Sequence, residues 1–153
     1  MNRLVKELYQ QKRKSIEEAL SLIKSDDFII TSLGGGEPIE LLSSLHKIKE
    51  NGVKNAQLTN TLPMKDYEYY QDEYKEAIKV TSWFFNPVNR KHHKRGRVSM
   101  VPQHLHFAYR KRYFALQDKR RVLLCTCSPI DKHGYLSLSI SCTYEREVID
   151  DGA

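Results

Sequence analysis

The chain has no apolar run that approaches the roughly 20 residues of a membrane-spanning helix, so nothing in it reads as a transmembrane segment. Its opening, Met1-Asn2-Arg3-Leu4-Val5-Lys6-Glu7, lacks the apolar core of a secretory signal. Cysteine is scarce and odd in number: Cys125, Cys127 and Cys142, all in apolar surroundings. That argues against a disulfide scaffold and for buried, reduced thiols in a cytoplasmic protein. There is no internal repeat and no low-complexity linker. The one glycine run is not followed by Gly-Lys-Ser/Thr, which excludes a P-loop, and its spacing excludes the dinucleotide fingerprint. Cys125/Cys127, His92-His93 and His104/His106 do not match the paired spacing of structural zinc ligands, so no metal site is expected.

What is present suffices for one domain. At 153 residues, a chain buries roughly 68–70% of its unfolded surface. The net charge of +6 is unevenly spread. Basic residues gather in 90–97, 110–112 and 119–121, and acids in 66–76. Such a field suits nucleic acid or a polyphosphate cofactor, or it is a set of solvated loops.

Leu4, Val5, Leu8 and Tyr9 recur at helical spacing and predict a first helix. Ser15-Ile16-Glu17-Glu18 is a capping-box pattern that opens a second, with Ile16, Ala19, Leu20 and Ile23 on its apolar side. Residues 28–33 then read as a buried strand, Gly34-Gly35-Gly36 as a turn, and Pro38 onward as a helix with Leu41, Leu42, Leu45 and Ile48 inward. Gly52 suits the left-handed end of that helix, and 56–62 is the next strand. Strand, helix, strand in succession implies a parallel sheet with helices on both faces, a three-layer α/β domain. Beyond it we expect a weak helix at 67–77, a strand at 78–85 with Trp83-Phe84-Phe85 in the core, and a polar, basic loop at 86–96. A short strand at 98–101 and a helix at 103–116 follow. Residues 122–128 read as a central strand covered on both faces, 135–140 as a further strand, and 144–149 as a last helix capped by Thr143.

The glycine turn is the first candidate site. A strand that ends in glycines and feeds a helix exposes backbone N–H groups, which can hold a phosphate or an oxyanion; the plainer account is a tight turn that needs positive φ. A thiol nucleophile, Cys125 or Cys127 with His133 or His104, is weaker, because both thiols sit mid-strand in this reading. Trp83, Phe84 and Phe85 beside the basic run would suit a nucleic-acid binder, but no recognised module of that kind is visible.

Five segments taken together resemble the acetyl-CoA hydrolase/transferase family, in particular its 4-hydroxybutyrate and butyrate–acetate CoA-transferase type. They are 15–27 before the first strand, Gly34-Gly35-Gly36-Glu37-Pro38, Ser82-Trp83-Phe84-Phe85-Asn86-Pro87 leading to Arg90-Lys91-His92-His93, Val101-Pro102-Gln103-His104-Leu105, and 127–139. The last, Cys127-Ser128-Pro129-Ile130-Asp131-Lys132-His133-Gly134-Tyr135-Leu136-Ser137-Leu138-Ser139, is the strongest match.

The resemblance implies a two-domain enzyme much longer than this chain, with the active site between related halves. CoA would pass from an acyl-CoA to a short-chain carboxylate (acetate, butyrate or 4-hydroxybutyrate) through a glutamyl-CoA thioester. The attacking glutamate would belong to the second half; Glu17, Glu18 and Glu37 are not assigned that role. The chain alone is therefore expected to be inactive, to be the front part of a longer protein, and to self-associate through surface its other half should cover. Gly34, Gly35 and Gly36 are expected to face the cleft and bind substrate. Arg90, Lys91, Lys94 and Arg95 would contact CoA phosphates or the second domain. Glu37 either orients that turn or, the preferred reading, is a solvent-exposed first-turn acid favoured by the helix dipole. The CoA thioester is substrate, with no permanently bound cofactor. An acyl-CoA hydrolase of the same family, or a small basic nucleic-acid-binding domain, is the alternative.

Overall fold

A computed structural model describes residues 3–107, 118–138 and 140–152. Helix α1 (Arg3–Lys12) buries no residue, whereas α2 (Ile16–Leu20) buries Leu20. The expected capping box starts α2: the Ser15 hydroxyl accepts from the Glu18 N–H at 3.2 Å, and the Glu18 carboxylate accepts from the Ser15 N–H at 2.7 Å. Strand β1 (Phe28–Thr31) follows, then a 3₁₀ turn at Gly34–Gly36, α3 (Ile39–Ser44) and a 3₁₀ extension at Leu45–Lys49. Gly52 closes that unit at φ +76°, the left-handed region where it carries no Cβ penalty.

Strand β2 (Ala56–Thr59) leads to β3 (Ile78–Ser82), α4 (Pro87–Lys94), β4 (Val98–Met100), β5 (Arg121–Leu124) and α5 (Glu145–Asp150). The five strands form one sheet in the order β4-β3-β2-β1-β5, and every pairing is parallel. The fold is α/β, as expected. Among the described residues no helix is long and apolar enough to cross a membrane.

Alternation along the strands divides the core. Ile29, Leu58 and Val80 pack with Leu42, Leu45 and Ile48 on one face. Phe28 and Ile30 turn to the other, against Trp83, Tyr144 and Val148, with half-buried Leu123 beside them. Full burial of one such side chain stabilises the fold by roughly 1.5–3 kcal/mol.

Several sequence expectations need correction. Residues 86–96 are not a loop but contain α4, because the Asn86 side chain accepts from the Asn89 N–H at 2.9 Å and Pro87 has the right φ for a first turn. The stretch 67–77 makes two 3₁₀ turns, Glu68–Tyr70 and Asp72–Tyr74, around buried Tyr67, Tyr69 and Tyr70. Strand β5 is an edge strand, partly exposed along its length, since β1 already has β2 on its other side. Of the strand expected at 135–140, residues 135–137 are exposed, Leu138 is half-buried, both lie outside the sheet, and residue 139 is outside the described residues; the Asp131 carboxylate accepts from the His133 and Tyr135 N–H groups and curls this segment into a loop. Helix α5 is not capped by Thr143: the Thr143 N–H donates to the buried Glu145 carboxylate at 2.7 Å. Within the expected helix at 103–116, residues 108–116 lie outside the described residues. Phe85, assigned to the core, is 45% exposed, although Trp83 is buried.

Candidate functional site

In open parallel sheets, ligands bind beyond the carboxyl ends of the strands. The carboxyl end of β1 delivers Gly34–Gly36, and its glycines serve different needs. Gly34 has φ +53°, a conformation that disfavours any side chain. A Cβ on Gly36 would lie 2.1 Å from Ser141 Oγ, so this position has no room for one. The Thr126 N–H donates to the Gly36 carbonyl at 2.9 Å, and the Thr126 hydroxyl donates to the Glu37 carbonyl at 3.0 Å. The turn is thereby fixed to the segment that follows β5.

The N–H groups of the turn are not equivalent. That of Gly36 donates to the Leu33 carbonyl at 3.1 Å, and that of Glu37 to the Gly34 carbonyl at 3.0 Å. Gly36 is buried, Gly34 half-buried and Gly35 exposed. A ligand oxygen at this turn would therefore meet Gly34 and Gly35 rather than all three glycines.

Glu37 differs most from its sequence reading. It is 3% exposed rather than solvated. One carboxylate oxygen accepts from the Met64 N–H at 2.9 Å and from the Tyr67 hydroxyl at 2.7 Å. Burial pushes its pKa above the ordinary carboxylate range, although both hydrogen bonds pull the other way. The Tyr67 hydroxyl is also pushed up, first by burial and then by Glu37.

This pair belongs to a buried polar layer under the strand ends. Tyr67 stacks on Tyr69 at 5.2 Å, and Asn60 donates to the Tyr69 hydroxyl at 2.7 Å. Asn89, brought in by α4, donates to Ser82 Oγ at 2.7 Å and to the Thr61 carbonyl at 3.0 Å. The Tyr144 hydroxyl donates to the Thr31 carbonyl at 2.6 Å from the opposite face. Buried polar atoms nearly always find a partner inside a protein. Asn60 Oδ1, Thr61 Oγ1 and Trp83 Nε1 have none, and all three follow or lie close to the ends of β2 and β3. Sequence patterning could not have assembled this layer, because its members are separated by up to tens of residues and resemble ordinary core or loop positions.

Arg90, Lys91, Lys94 and Arg95 are exposed on or just after α4. Lys91 Nζ pairs with Asp66 at 2.6 Å, and Arg95 with Asp72 at 3.4 Å. Burial alone would raise the Asp66 pKa; the bonds from Lys91 and His92 outweigh it and hold the carboxylate below its usual range. Helix α4 starts at the carboxyl end of β3 and ends before the start of β4, so Lys94 and Arg95 lie at the end of the sheet opposite the glycine turn. The structure does not bring them to Gly34–Gly36.

The thiols are also placed differently from expectation. Cys127 and Cys142 are exposed rather than buried, and Cys125 is half-buried. Cys125 has its thiol pushed up by burial and by neighbouring Cys127, the reverse of nucleophile activation. Among the described residues, no three His, Cys, Asp or Glu side chains converge on a metal position.

A family model described as the acetyl-CoA hydrolase/transferase N-terminal domain matches residues 1–152. A succinyl-CoA:cyclohexane-1-carboxylate CoA transferase of Geobacter metallireducens is 30% identical over 92% of this chain and 31% of its own length. A 4-hydroxybutyrate coenzyme A transferase of Clostridium kluyveri is 26% identical over 92% and 32%. The crystal structure of RipA from Yersinia pestis superposes with a TM-score of 0.75 at 28% identity, covering 88% of this chain and 33% of that one. The 4-hydroxybutyrate CoA-transferase of Porphyromonas gingivalis shares the fold at a TM-score of 0.60, with 18% identity over 95% and 32%. The chain spans about a third of the length of the curated relatives it matches.

Proposed function

The chain belongs to the acetyl-CoA hydrolase/transferase family, and from that membership we propose that it forms one wall of a cleft in which CoA passes from an acyl-CoA to a free carboxylate. The curated relatives named for CoA transfer favour transferase over hydrolase, with succinate, 4-hydroxybutyrate or a similar carboxylate as acyl partner. The observation that carries the reading is the glycine turn. Gly34, half-buried, and Gly35, exposed, follow the carboxyl end of β1, where their backbone N–H groups would stabilise a thioester or carboxylate oxygen that gains negative charge.

The nucleophile is a glutamate outside these residues. Its carboxylate attacks the acyl thioester carbonyl and expels CoA thiolate, leaving an acyl-glutamyl anhydride. The thiolate then attacks the glutamyl carbonyl, releases the product carboxylate as the anion and leaves a glutamyl-CoA thioester; the acceptor carboxylate reverses both steps. Glu37 is unsuited to this part, since it is buried and one of its oxygens is held by Met64 and Tyr67. Its role is to hold the turn. Lys94 and Arg95, remote from the turn, contact other polypeptide; exposed Arg90 is the candidate for CoA phosphates, because Lys91 is already paired with Asp66. Lys91 and Arg95 are already paired with acids, which argues against a continuous track for nucleic acid.

The test is CoA exchange between butyryl-CoA and labelled acetate, 4-hydroxybutyrate or succinate. The chain alone should give no exchange and no CoA mass adduct. A chimera with residues 1–152 in place of the matching third of the Geobacter transferase should exchange. Turnover by the chain alone would place the nucleophile here, and a folded chimera without exchange would overturn the transferase reading.

A further inference from the structure

Peptide planes link the glycine turn to the segment beside it. A trans peptide is flat, so its C=O and N–H point in opposite directions, and whatever holds one aims the other. The Thr126 N–H donates to the Gly36 carbonyl at 2.9 Å. That carbonyl shares a plane with the Glu37 N–H, which donates to the Gly34 carbonyl at 3.0 Å. The Gly34 carbonyl in turn shares a plane with the Gly35 N–H. Among the described residues the Gly35 N–H has no acceptor, and Gly35 is exposed. Two bonds therefore run in series from Thr126 to a free donor, and bonds in series polarise one another, by about 10–30% each.

The neighbouring donor is held differently. The Gly34 N–H shares a plane with the Leu33 carbonyl, which accepts from the Gly36 N–H at 3.1 Å. The Gly36 N–H lies in the plane of the Gly35 carbonyl, and no described residue donates to that carbonyl. This second series starts and ends inside the turn. Thr126 is anchored from outside it. Strands β1 and β5 pair up to Leu124, whose carbonyl accepts from the Ser32 N–H at 3.0 Å. The Thr126 hydroxyl donates to the Glu37 carbonyl at 3.0 Å. Pro38 follows Glu37 and has no N–H, so the hydroxyl grips the turn without adding to either series. The buried Ser141 Oγ, 3.5 Å from both the Gly36 and the Thr126 carbonyls, fills the space behind the joint.

We propose that Thr126 is a positioning residue for the Gly35 N–H: it aims and strengthens that donor through the Gly36–Glu37 and Gly34–Gly35 peptides and leaves the Gly34 N–H unaffected. Gly35 is then the donor that meets the charge developing on the thioester oxygen, where a fixed N–H stabilises most. The inference rests on the proposed role of the turn for its catalytic consequence; the series of bonds itself does not depend on CoA.

The 153-residue chain and the chimera with the Geobacter transferase test it together. In the ligand-free chain, NMR scalar couplings across hydrogen bonds should join the Thr126 nitrogen to the Gly36 carbonyl carbon and the Glu37 nitrogen to the Gly34 carbonyl carbon, a measurement that needs no variant. Thr126→Pro, which deletes the donor, should shift the Gly35 nitrogen resonance and leave that of Gly34 in place. Thr126→Val, which keeps the N–H, should leave both nearly in place. In the chimera, Thr126→Pro should lower kcat about 10-fold or more below Thr126→Val with KM little changed, short of the roughly 10²–10³ that a lost oxyanion donor costs. Missing couplings in a chain whose β1 amides stay protected, a proline variant that moves Gly34 as much as Gly35, or proline and valine chimeras of equal kcat would each overturn it. A parent chimera without exchange is a separate failure, that of the transferase reading, and the couplings then decide the series by themselves.

Discussion

The Tyr67 hydroxyl donates to Glu37 at 2.7 Å, joining the residue after the glycine turn to a tyrosine that opens the 3₁₀ segment before β3. Both partners are at most 3% exposed. Removing the donor leaves a buried carboxylate oxygen with only the Met64 N–H. Tyr67→Phe should cost about 1–3 kcal/mol in urea denaturation at neutral pH. An unchanged midpoint would mean that the hydroxyl does not tie the turn to its support.

Glu37 also sets a pH dependence. Burial raises its folded-state pKa above that of the unfolded chain, so the folded state binds the proton more tightly. Its contribution is fully present below the unfolded pKa and is lost as pH rises through the folded one. Glu37→Gln keeps an oxygen for Met64 and Tyr67 without the charge. Relative to the parent, this variant should gain stability between about pH 5 and 8, measured by denaturant titration at both values. A parent and variant with parallel pH profiles would contradict the assignment.

How far the sequence carries can be judged from these residues. The Ser15–Glu18 box and the positive-φ turn at Gly34 are local: short-range sterics and one or two hydrogen bonds determine them, and both are legible. Glu37 reads first as a solvated acid because a first-turn acid normally is, whereas the tyrosine that buries it arrives from 30 residues away. The α4 segment reads as loop because its run of basic residues masks the Asn86-Pro87 start. Strand β5 reads as central because Val122, Leu123 and Leu124 are an apolar run, although at the sheet's edge they are only half-buried. Local chemistry was readable; which residues meet across the sheet was not.

The glycines of the turn should respond unequally. Gly36→Ala puts a methyl 2.1 Å from Ser141 Oγ and 3.0 Å from Ser32 Cβ. It should cost about 1–3 kcal/mol, as overpacking in a filled site does. Ser141→Gly in the same chain should recover much of that loss by removing the hydroxymethyl group. Gly34→Ala should cost about 1–2 kcal/mol through its left-handed φ alone, and no change at Ser141 should rescue it. Gly35→Ala meets only the end of the Ile140 side chain at 3.1 Å, which can swing away, so it should be close to neutral. Chemical denaturation of the five variants measures the whole pattern, and equal costs at the three glycines would contradict it.

The surface around α1 leads to the last expectation. Leu8 is 50% exposed, and Tyr135 and Leu136 on the neighbouring loop are 73% and 54% exposed. The groove between them, about 440 Å³, is lined by Val5, Leu8, Tyr9, Ile130 and Leu136. A Cβ on Gly134 would come within 2.6 Å of a Val5 methyl, so helix and loop already touch and present a joint apolar surface rather than two separate ones. Contiguous apolar surface of this kind drives association when nothing covers it. The purified chain should therefore gain weight-average mass with concentration in sedimentation equilibrium. Leu8→Glu with Leu136→Glu should return it to the monomer mass without changing its circular dichroism, because both side chains project into solvent. A parent chain that stays monomeric across the accessible concentration range would show that this surface is not adhesive. A double variant that still associates would move the contact elsewhere, with the open edge of β5 the next place to look.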